Sequence, residues 1–127
     1  MNLLFYAADI EGVGKPLWDL YQDLYDKHNG EFFLTVDDFA NRLHQPKSDP
    51  AIAVLLAAGR KDLEDLLTIR DLFDRIRIIL ILPDRNKDTV KKGHALFPRF
   101  LTFVDGNFDW VTAVLYKMLA NNTGNNN

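Results

Sequence analysis

The sequence predicts a three-layer α/β/α sandwich built on a five-stranded parallel sheet in the strand order 2-1-3-4-5. Five short apolar segments alternate along the chain with five segments of helical periodicity. Strands that alternate with helices imply right-handed crossovers and a parallel sheet covered by helices on both faces. A chain of 127 residues also has the length of one such doubly wound domain.

The predicted strands are uninterrupted apolar runs, as expected of a sheet that is buried on both faces. Ile76–Leu82 is the clearest strand, because it is rich in β-branched residues and is followed by Pro83. Ala51–Ala58 is apolar throughout and too short for a surface helix, so it is assigned to the central strand. The remaining predicted strands are Leu3–Ala7, Phe32–Val36 and Phe100–Val104.

The segments between the predicted strands carry apolar residues three and four positions apart, which is the spacing of amphipathic helices. Polar capping residues and glycine mark the predicted ends of these helices. The predicted helices run from Pro16 to Asn29, from a cap at Asp37 to before Pro46, over Asp62–Phe73, over Asn86–Leu96, and onward from a cap at Asn107. Residues 1–120 are therefore assigned to one domain, and the polar segment 121–127 is predicted to be a disordered tail.

The composition is typical of a globular protein and excludes several classes of function. Apolar residues make up 47% of the chain and charged residues 26%, which allows a substantial core. The chain has no cysteine, so disulfide bonds, thiolate metal sites and thiol catalysis are excluded. No apolar run has the length of a membrane span, and the first residues lack the basic start of a signal peptide. We therefore expect a cytoplasmic protein without membrane contact.

The charge is distributed unevenly along the chain. Residues 1–74 hold fourteen acidic and seven basic side chains, a net charge of −7. Residues 75–99 hold seven basic and two acidic side chains, a net charge of +5, while the whole chain carries −3. The basic segment is either an ordinary solvated surface or a patch that binds an acidic partner. A modest patch on a net-acidic chain favours a protein partner over nucleic acid.

The five β/α units over Asn2–Ala120 make the chain resemble the receiver domain of bacterial response regulators. The resemblance rests on the order and length of the elements, which correspond to a flavodoxin-like fold. Receivers transfer a phosphoryl group at the carboxyl ends of their strands. They use an acidic pair after the first strand to hold Mg²⁺, a nucleophilic aspartate at the end of the third, a hydroxyl at the end of the fourth and a lysine at the end of the fifth.

The matching positions of this chain lack that chemistry. The first strand is followed by a single acid, Asp9, and the third ends in Ala57 and Ala58, which cannot accept a phosphoryl group. The fourth strand is followed by Pro83 instead of a hydroxyl residue, and the fifth by Asp105 instead of lysine. The chain therefore resembles a degenerate receiver, a pseudo-receiver, and we expect no catalytic residues, no cofactor and no enzymatic activity.

The resemblance also implies a surface for protein contacts in a two-component signalling system. The switching surface of receivers comprises the fourth helix, the fifth strand and the fifth helix, and in this chain that region overlaps the basic segment. The candidate interaction residues are Lys87, Lys91, Lys92, Arg99, Trp110 and Lys117. We expect a protein partner or a second copy of the chain to bind there, under the control of partner availability or of a bound ligand.

A small-molecule sensor is the first alternative function. Gly12, Gly14 and Lys15 precede the first predicted helix and can offer backbone N–H groups and an ammonium to a phosphate-bearing ligand. Their spacing matches neither a complete P-loop nor a dinucleotide-binding motif, so ordinary turn glycines are the simpler interpretation.

A metal-dependent enzyme is the second alternative function. Asp9, Asp84 and Asp105 follow the first, fourth and fifth predicted strands, and three carboxylates can bind Mg²⁺. The third strand, however, separates the first strand from the fourth by about two strand spacings of 4.8 Å, and aspartate is common in loops. A deep pocket at the strand ends would favour either alternative, whereas a filled edge would favour the interaction module.

Both tryptophans lie on predicted helices that are neighbours on one face of the sheet. Trp18 lies on the first helix and Trp110 on the last. Either both rings pack at the seam between these helices, or one of them is exposed as an anchor for a partner.

Overall fold

The computed structural model of the protein describes residues 2–45 and 51–124, with side chains as far as Asn121. In chain order the elements are β1 (Asn2–Ala7), α1 (Lys15–His28), β2 (Glu31–Phe33), α2 (Val36–Leu43), β3 (Ala51–Leu56), α3 (Arg60–Thr68), β4 (Ile76–Leu82), α4 (Lys87–His94), β5 (Phe100–Phe103) and α5 (Phe108–Gly124). A 3₁₀ turn, Arg70–Phe73, follows α3.

The five strands form one parallel sheet in the order β2-β1-β3-β4-β5, so the predicted fold class is confirmed. The central strand β3 pairs along its whole length with β1, from Ala51 beside Asn2 to Leu56 beside Ala7. It pairs in the same way with β4 on its other side. Helices cover both faces of the sheet, which gives the three-layer, flavodoxin-like arrangement.

Alternate residues of the strands enter two separate cores. On one face of the sheet, Phe5 shares a core with Leu17 of α1 and Leu115 of α5. On the other face, Leu55 shares a core with Phe39 of α2. Because both faces are covered in this way, the central strands have the continuous apolar sequence from which they were predicted.

The two tryptophans do not pack together at the seam between α1 and α5. The ring of Trp18 lies 5.1 Å from the ring of Tyr21 and 5.1 Å from that of Phe32, centroid to centroid. Trp110 is instead 64% exposed. It precedes Val111, which begins the buried stripe of α5, so its ring lies outside that stripe. Of the two alternatives from the sequence, packing of both rings at the seam does not hold, and one ring, that of Trp110, is exposed.

The strand β2 is shorter than predicted, and α2 begins earlier. β2 ends at Phe33 and α2 starts at Val36, so the end of the predicted strand is helical. The hydroxyl of Thr35, not the carboxylate of Asp37, caps this helix by accepting the N–H of Asp38 at 3.0 Å. Thr35 has the extended backbone of an N-cap, and the two aspartates then lie in the first turn, where their charge suits the helix dipole.

The helix α3 is shorter than the predicted helix over Asp62–Phe73. It ends at Thr68, whose hydroxyl donates to the carbonyl oxygen of Asp65 at 2.6 Å. Ile69 leaves the helical conformation, with φ −111° and ψ 15°, and the 3₁₀ turn that follows still buries Phe73. Two consecutive β-branched residues at positions 68 and 69 favour this break, because their helix propensity is low.

The helix α5 extends beyond the predicted end of the domain. It runs as far as Gly124, so residues 121–124, predicted as part of a disordered tail, are helical. Once a helix has formed, each further residue adds one backbone hydrogen bond, which allows it to continue into polar sequence. Residues 125–127 of the predicted tail lie outside the described part of the chain.

A partly buried ion pair fastens α2 to the edge strand β2. The guanidinium of Arg42 donates to the carboxylate of Glu31 from Nε and Nη2, at distances of 2.8, 2.9 and 3.0 Å. Arg42 is 9% exposed, whereas Glu31 is half-buried. The planar fork of arginine matches the carboxylate, so this pair fixes the position of α2 as well as neutralising a buried charge.

We predict that Glu31→Ala lowers the free energy of unfolding by about 1–3 kcal/mol, because the buried guanidinium of Arg42 loses its carboxylate. Urea unfolding measures the change. The control is Asp19→Ala, which breaks the exposed Lys15–Asp19 pair and is expected to cost no more than about 1 kcal/mol. Equal losses in the two variants would contradict a special role for the pair between α2 and β2.

Candidate functional site

The functional edge of a parallel α/β sheet lies at the carboxyl ends of its strands. Here β1, β3, β4 and β5 end side by side, as the pairing of their last residues indicates. The pairs are Ala7 with Leu56, Leu56 with Ile81, and Leu82 with Phe103. The loops 8–14, 57–59, 83–86 and 104–107 therefore meet at one edge of the sheet, which we call the strand-end rim.

The end of β3 is apolar and closed. Ala57 is fully buried, and its N–H donates to the carbonyl oxygen of Ile81 at 2.9 Å. The N–H of Ala58 donates to Oδ2 of Asp62 at 3.1 Å. A methyl group thus stands at the end of the central strand, and the nearest acid in sequence, Asp62, accepts a backbone hydrogen bond at the start of α3.

The structure does not bring Asp9, Asp84 and Asp105 together as a metal site. The Oδ1 atom of Asp9 accepts the N–H of Gly12 at 2.6 Å. Asp105 pairs with Nη2 of Arg85 at 2.9 Å. Within residues 2–45 and 51–124, no three acidic or histidine side chains are grouped so that they could hold one metal ion.

The carboxylate of Asp84 forms a hydrogen bond within its own loop and an ion pair with α3. The hydroxyl of Thr89 is the largest cause that lowers the pKa of Asp84, followed by the N–H of Asn86 and then by Arg60. The Asn86 hydrogen bond measures 2.9 Å and the Arg60 ion pair 3.5 Å. Thr89 is buried beside this carboxylate, and its hydroxyl has no hydrogen-bond partner within the described chain. Asp84 therefore organises the start of α4.

In the loop that contains Gly12, Gly14 and Lys15, backbone N–H groups are already bound by a carboxylate of the same loop. Asp9 accepts the N–H groups of Gly12 and Glu11, at 2.6 and 3.2 Å, so these donors already have an anion. The ammonium of Lys15 binds Asp19 at 2.7 Å. Gly14 is required for another reason, since a Cβ atom there would collide with the carbonyl oxygen of Asp9. This geometry does not support the predicted phosphate site.

The basic residues of the candidate interaction surface differ in their environments. Lys87, Lys91, Arg99 and Lys117 are exposed, and none forms an ion pair with another described residue. Lys92 instead binds Glu64 of α3 at 3.1 Å and Asp88 at 3.2 Å. The hydrogen bond to Glu64, followed by that to Asp88, raises the pKa of Lys92. Lys92 therefore connects α3 with α4 and is a poor candidate for partner contacts.

The edge strand β5 carries an aromatic and basic groove next to Trp110. β5 pairs with β4 on one side, and no other described strand pairs with its free side. All four residues of β5 are only partly buried, and a cavity of about 320 Å³ lies between them and Trp110. The guanidinium of Arg85 lies 4.1 Å from the centre of the Phe103 ring and pairs with Asp105. Sequence reasoning identified Trp110 but missed Arg85 and Phe103.

Two further grooves were not predicted from the sequence. One, of about 650 Å³, lies at the amino-terminal edge of the sheet beside Phe97, which is 87% exposed. Phe97 has a φ of 52°, a left-handed backbone that is unusual for a bulky residue.

The other groove, of about 390 Å³, lies at the strand-end rim between α2 and α3 and includes Tyr6. No sequence pattern indicated this groove, because Tyr6 belongs to an apolar strand.

Comparisons of the chain with models of known protein families, with curated proteins and with solved structures found no significant match. In the part of the chain that the structure describes, the helices are too short or too polar to cross a bilayer. The strand-end rim and the face formed by α4, β5 and α5 are thus the features from which a function can be inferred.

We predict that the protein does not become phosphorylated when it is incubated with acetyl phosphate and Mg²⁺. The end of β3 offers Ala57 and Ala58, whose methyl groups cannot attack phosphorus. Intact-mass spectrometry at low pH, where an acyl phosphate survives, would detect the adduct. A phosphorylatable receiver domain serves as the positive control, and the mass of one added phosphoryl group on this protein would contradict the prediction.

Proposed function

We propose that the domain is a non-catalytic, receiver-like interaction module of cytoplasmic signal transduction, which binds a protein partner through the face formed by α4, β5 and α5. The observation that carries the proposal is the exposure of Trp110, at 64%, beside the open edge of β5. Tryptophan and arginine are enriched among the residues that dominate binding energy at interfaces. Here Trp110 and Arg85 line the same cavity of about 320 Å³.

The open edge of β5 supports this proposal independently of the side chains. An unpaired edge strand presents backbone N–H and C=O groups that a partner strand or loop can bind. The apolar side chains of Phe100, Leu101 and Phe103 are each only partly covered by the rest of the domain. A partner that covers this edge would therefore satisfy backbone groups and bury apolar surface at the same time.

The charge of the face favours an acidic partner over a second copy of the chain. Lys87, Lys91, Arg99 and Lys117 have no ion-pair partner in the described part of the protein. A twofold homodimer would bring this patch against itself and place like charges together. A different protein with an acidic rim meets no such repulsion, and its association would be steered by the opposite charges.

The absence of catalysis in this proposal is supported by the strand-end rim. Ala57 and Ala58 stand where a receiver would carry its nucleophile, and Asp9 accepts hydrogen bonds from its own loop. Control of such a module depends on the availability of the partner or on a ligand bound elsewhere, because no phosphoryl group can be accepted at the end of β3.

We predict that Trp110→Ala weakens binding of the partner by about tenfold or more, since an exposed anchor of an interface is removed. The wild-type domain, immobilised, captures the partner from a lysate of the source cells, and the dissociation constant is then measured with the purified partner. Tyr25→Ala on α1 is the control, because Tyr25 is 52% exposed but lies on another helix. Unchanged binding by Trp110→Ala, or an equal loss in the control, would contradict the proposal.

We predict that Lys91→Glu slows association with the same partner several-fold at low salt and less at high salt, because rim charges mainly steer encounter. Lys27→Glu is a matched control, since Lys27 and Lys91 both lie in the last turn of a helix. Surface plasmon resonance at two salt concentrations measures the rates, and thermal melting verifies folding. Equal association rates for the two variants at low salt would move the partner site away from α4.

A further inference from the structure

The groove between α2 and α3 at the strand-end rim has an acidic lining and one hydroxyl, that of Tyr6, without a hydrogen-bond partner in the described protein. It has a volume of about 390 Å³ and belongs to the opposite face of the sheet from α5. Its polar lining residues are Tyr6, Thr35, Asp37, Asp62, Asp65 and Thr68. Neither the resemblance to receivers nor the proposed partner face accounts for this groove.

Tyr6 is the feature of the groove that most clearly indicates a ligand. The residue is 2% exposed, and its ring stacks on Phe39 with the centroids 6.1 Å apart. No described residue forms a hydrogen bond with its hydroxyl. Among the described residues, Oγ1 of Thr89 is the side-chain oxygen that is sealed from solvent and has no hydrogen-bond partner. The Tyr6 hydroxyl also lacks a partner but is not sealed from solvent, so it opens onto the groove that Tyr6 lines. A buried tyrosine normally finds a partner for this group.

The carboxylates around Tyr6 determine the charge of the ligand. Asp62 accepts one hydrogen bond, from the N–H of Ala58. Asp65 lies 3.3 Å from the ammonium of Lys61, which is 86% exposed and therefore screens it weakly. Asp37 has no ion-pair partner within the described chain. Three carboxylates with so little compensation repel anions and attract cations.

The protonation state of the Tyr6 phenol also favours a cationic ligand that can donate a hydrogen bond. Burial, and then the charges of Asp62 and Asp65, raise the pKa of Tyr6 to about 12. The phenol is therefore neutral at physiological pH, and its oxygen retains lone pairs that can accept a hydrogen bond from a donor such as N–H.

We propose that this groove binds an organic cation that carries a primary ammonium or a guanidinium group. The cation pairs with the carboxylates of Asp37 and Asp65 and donates one N–H to the hydroxyl oxygen of Tyr6. A metal ion is a poorer match, since no three acidic or histidine side chains of the described chain are grouped to ligate one. An extended guanidinium or a flexible ammonium can instead bridge separated carboxylates. The site is independent of the partner face and carries a binding function of its own.

The same chemistry can come from a free amine or from a lysine or arginine side chain of another protein, and a titration distinguishes the two. The backbone amides of Ala8, Thr35 and Asp37 are followed by ¹H–¹⁵N NMR as agmatine, putrescine, Nα-acetyl-lysine amide or Nα-acetyl-arginine amide is added. Tighter binding of agmatine or putrescine supports a free amine, and tighter binding of the blocked amino acids supports a protein side chain. Glutarate, an anion of similar length, is expected to cause no saturable shift.

Two variants test the geometry of the proposed site. Tyr6→Phe keeps the ring but removes the hydroxyl, and is expected to weaken binding of the best probe by about tenfold without lowering Tm. Asp37→Asn, at an exposed and unpaired carboxylate, is expected to weaken binding as well. Asp26→Asn removes the same charge from the exposed surface of α1 and is the control. The proposal is overturned if none of the four cations causes a saturable shift, or if glutarate causes equal shifts. It is also overturned if both test variants bind with wild-type affinity.

Discussion

Burial of β3 on both of its faces is the constraint on which the rest of the structure depends. All six residues of this strand are buried, and neighbouring strands pair with it on both sides. A strand in that position requires helices above and below the sheet, and parallel pairing requires a crossover between each strand and the next. The positions of α1 and α5 on one face, and of α2, α3 and α4 on the other, follow from this requirement.

The same parallel arrangement gathers the loops at one rim, yet most polar groups of that rim are bonded to each other. Asp9 accepts the N–H groups of its loop, Asp84 organises the start of α4, and Asp105 pairs with Arg85. Groups that are satisfied in this way stabilise loops and have little capacity left for ligands. The groups that remain free to bind a partner or a ligand lie elsewhere, at the open edge of β5 with Trp110 and in the acidic groove lined by Tyr6. These two surfaces have opposite charge, so they suit different partners.

The candidate sites could be predicted only in part, and the reason differs from residue to residue. Trp110, Lys87 and Lys91 were named as candidates from residue type and element order, and the structure shows that all three are exposed. The ion pair of Lys92 with Glu64 was not predicted, since it joins residues far apart in the chain and depends on the packing of α3 against α4. Arg85 was not named as a candidate, because its stacking on Phe103 joins the loop after β4 to β5 and no local sequence pattern encodes such a contact.

The sequence by itself determined the fold class, the strand order and the central position of the strand predicted over Ala51–Ala58, which in the structure is Ala51–Leu56. Burial on both faces imposes continuous apolar runs at strand length. It also determined that no carboxylate follows this strand, since that depends on residue identity alone. Only the tertiary structure decided where α2 begins, which hydrogen bonds close the loop after β1, and that the hydroxyl of Tyr6 opens onto an acidic groove. These features depend on distances between residues remote in the chain, and periodicity carries no information about such distances.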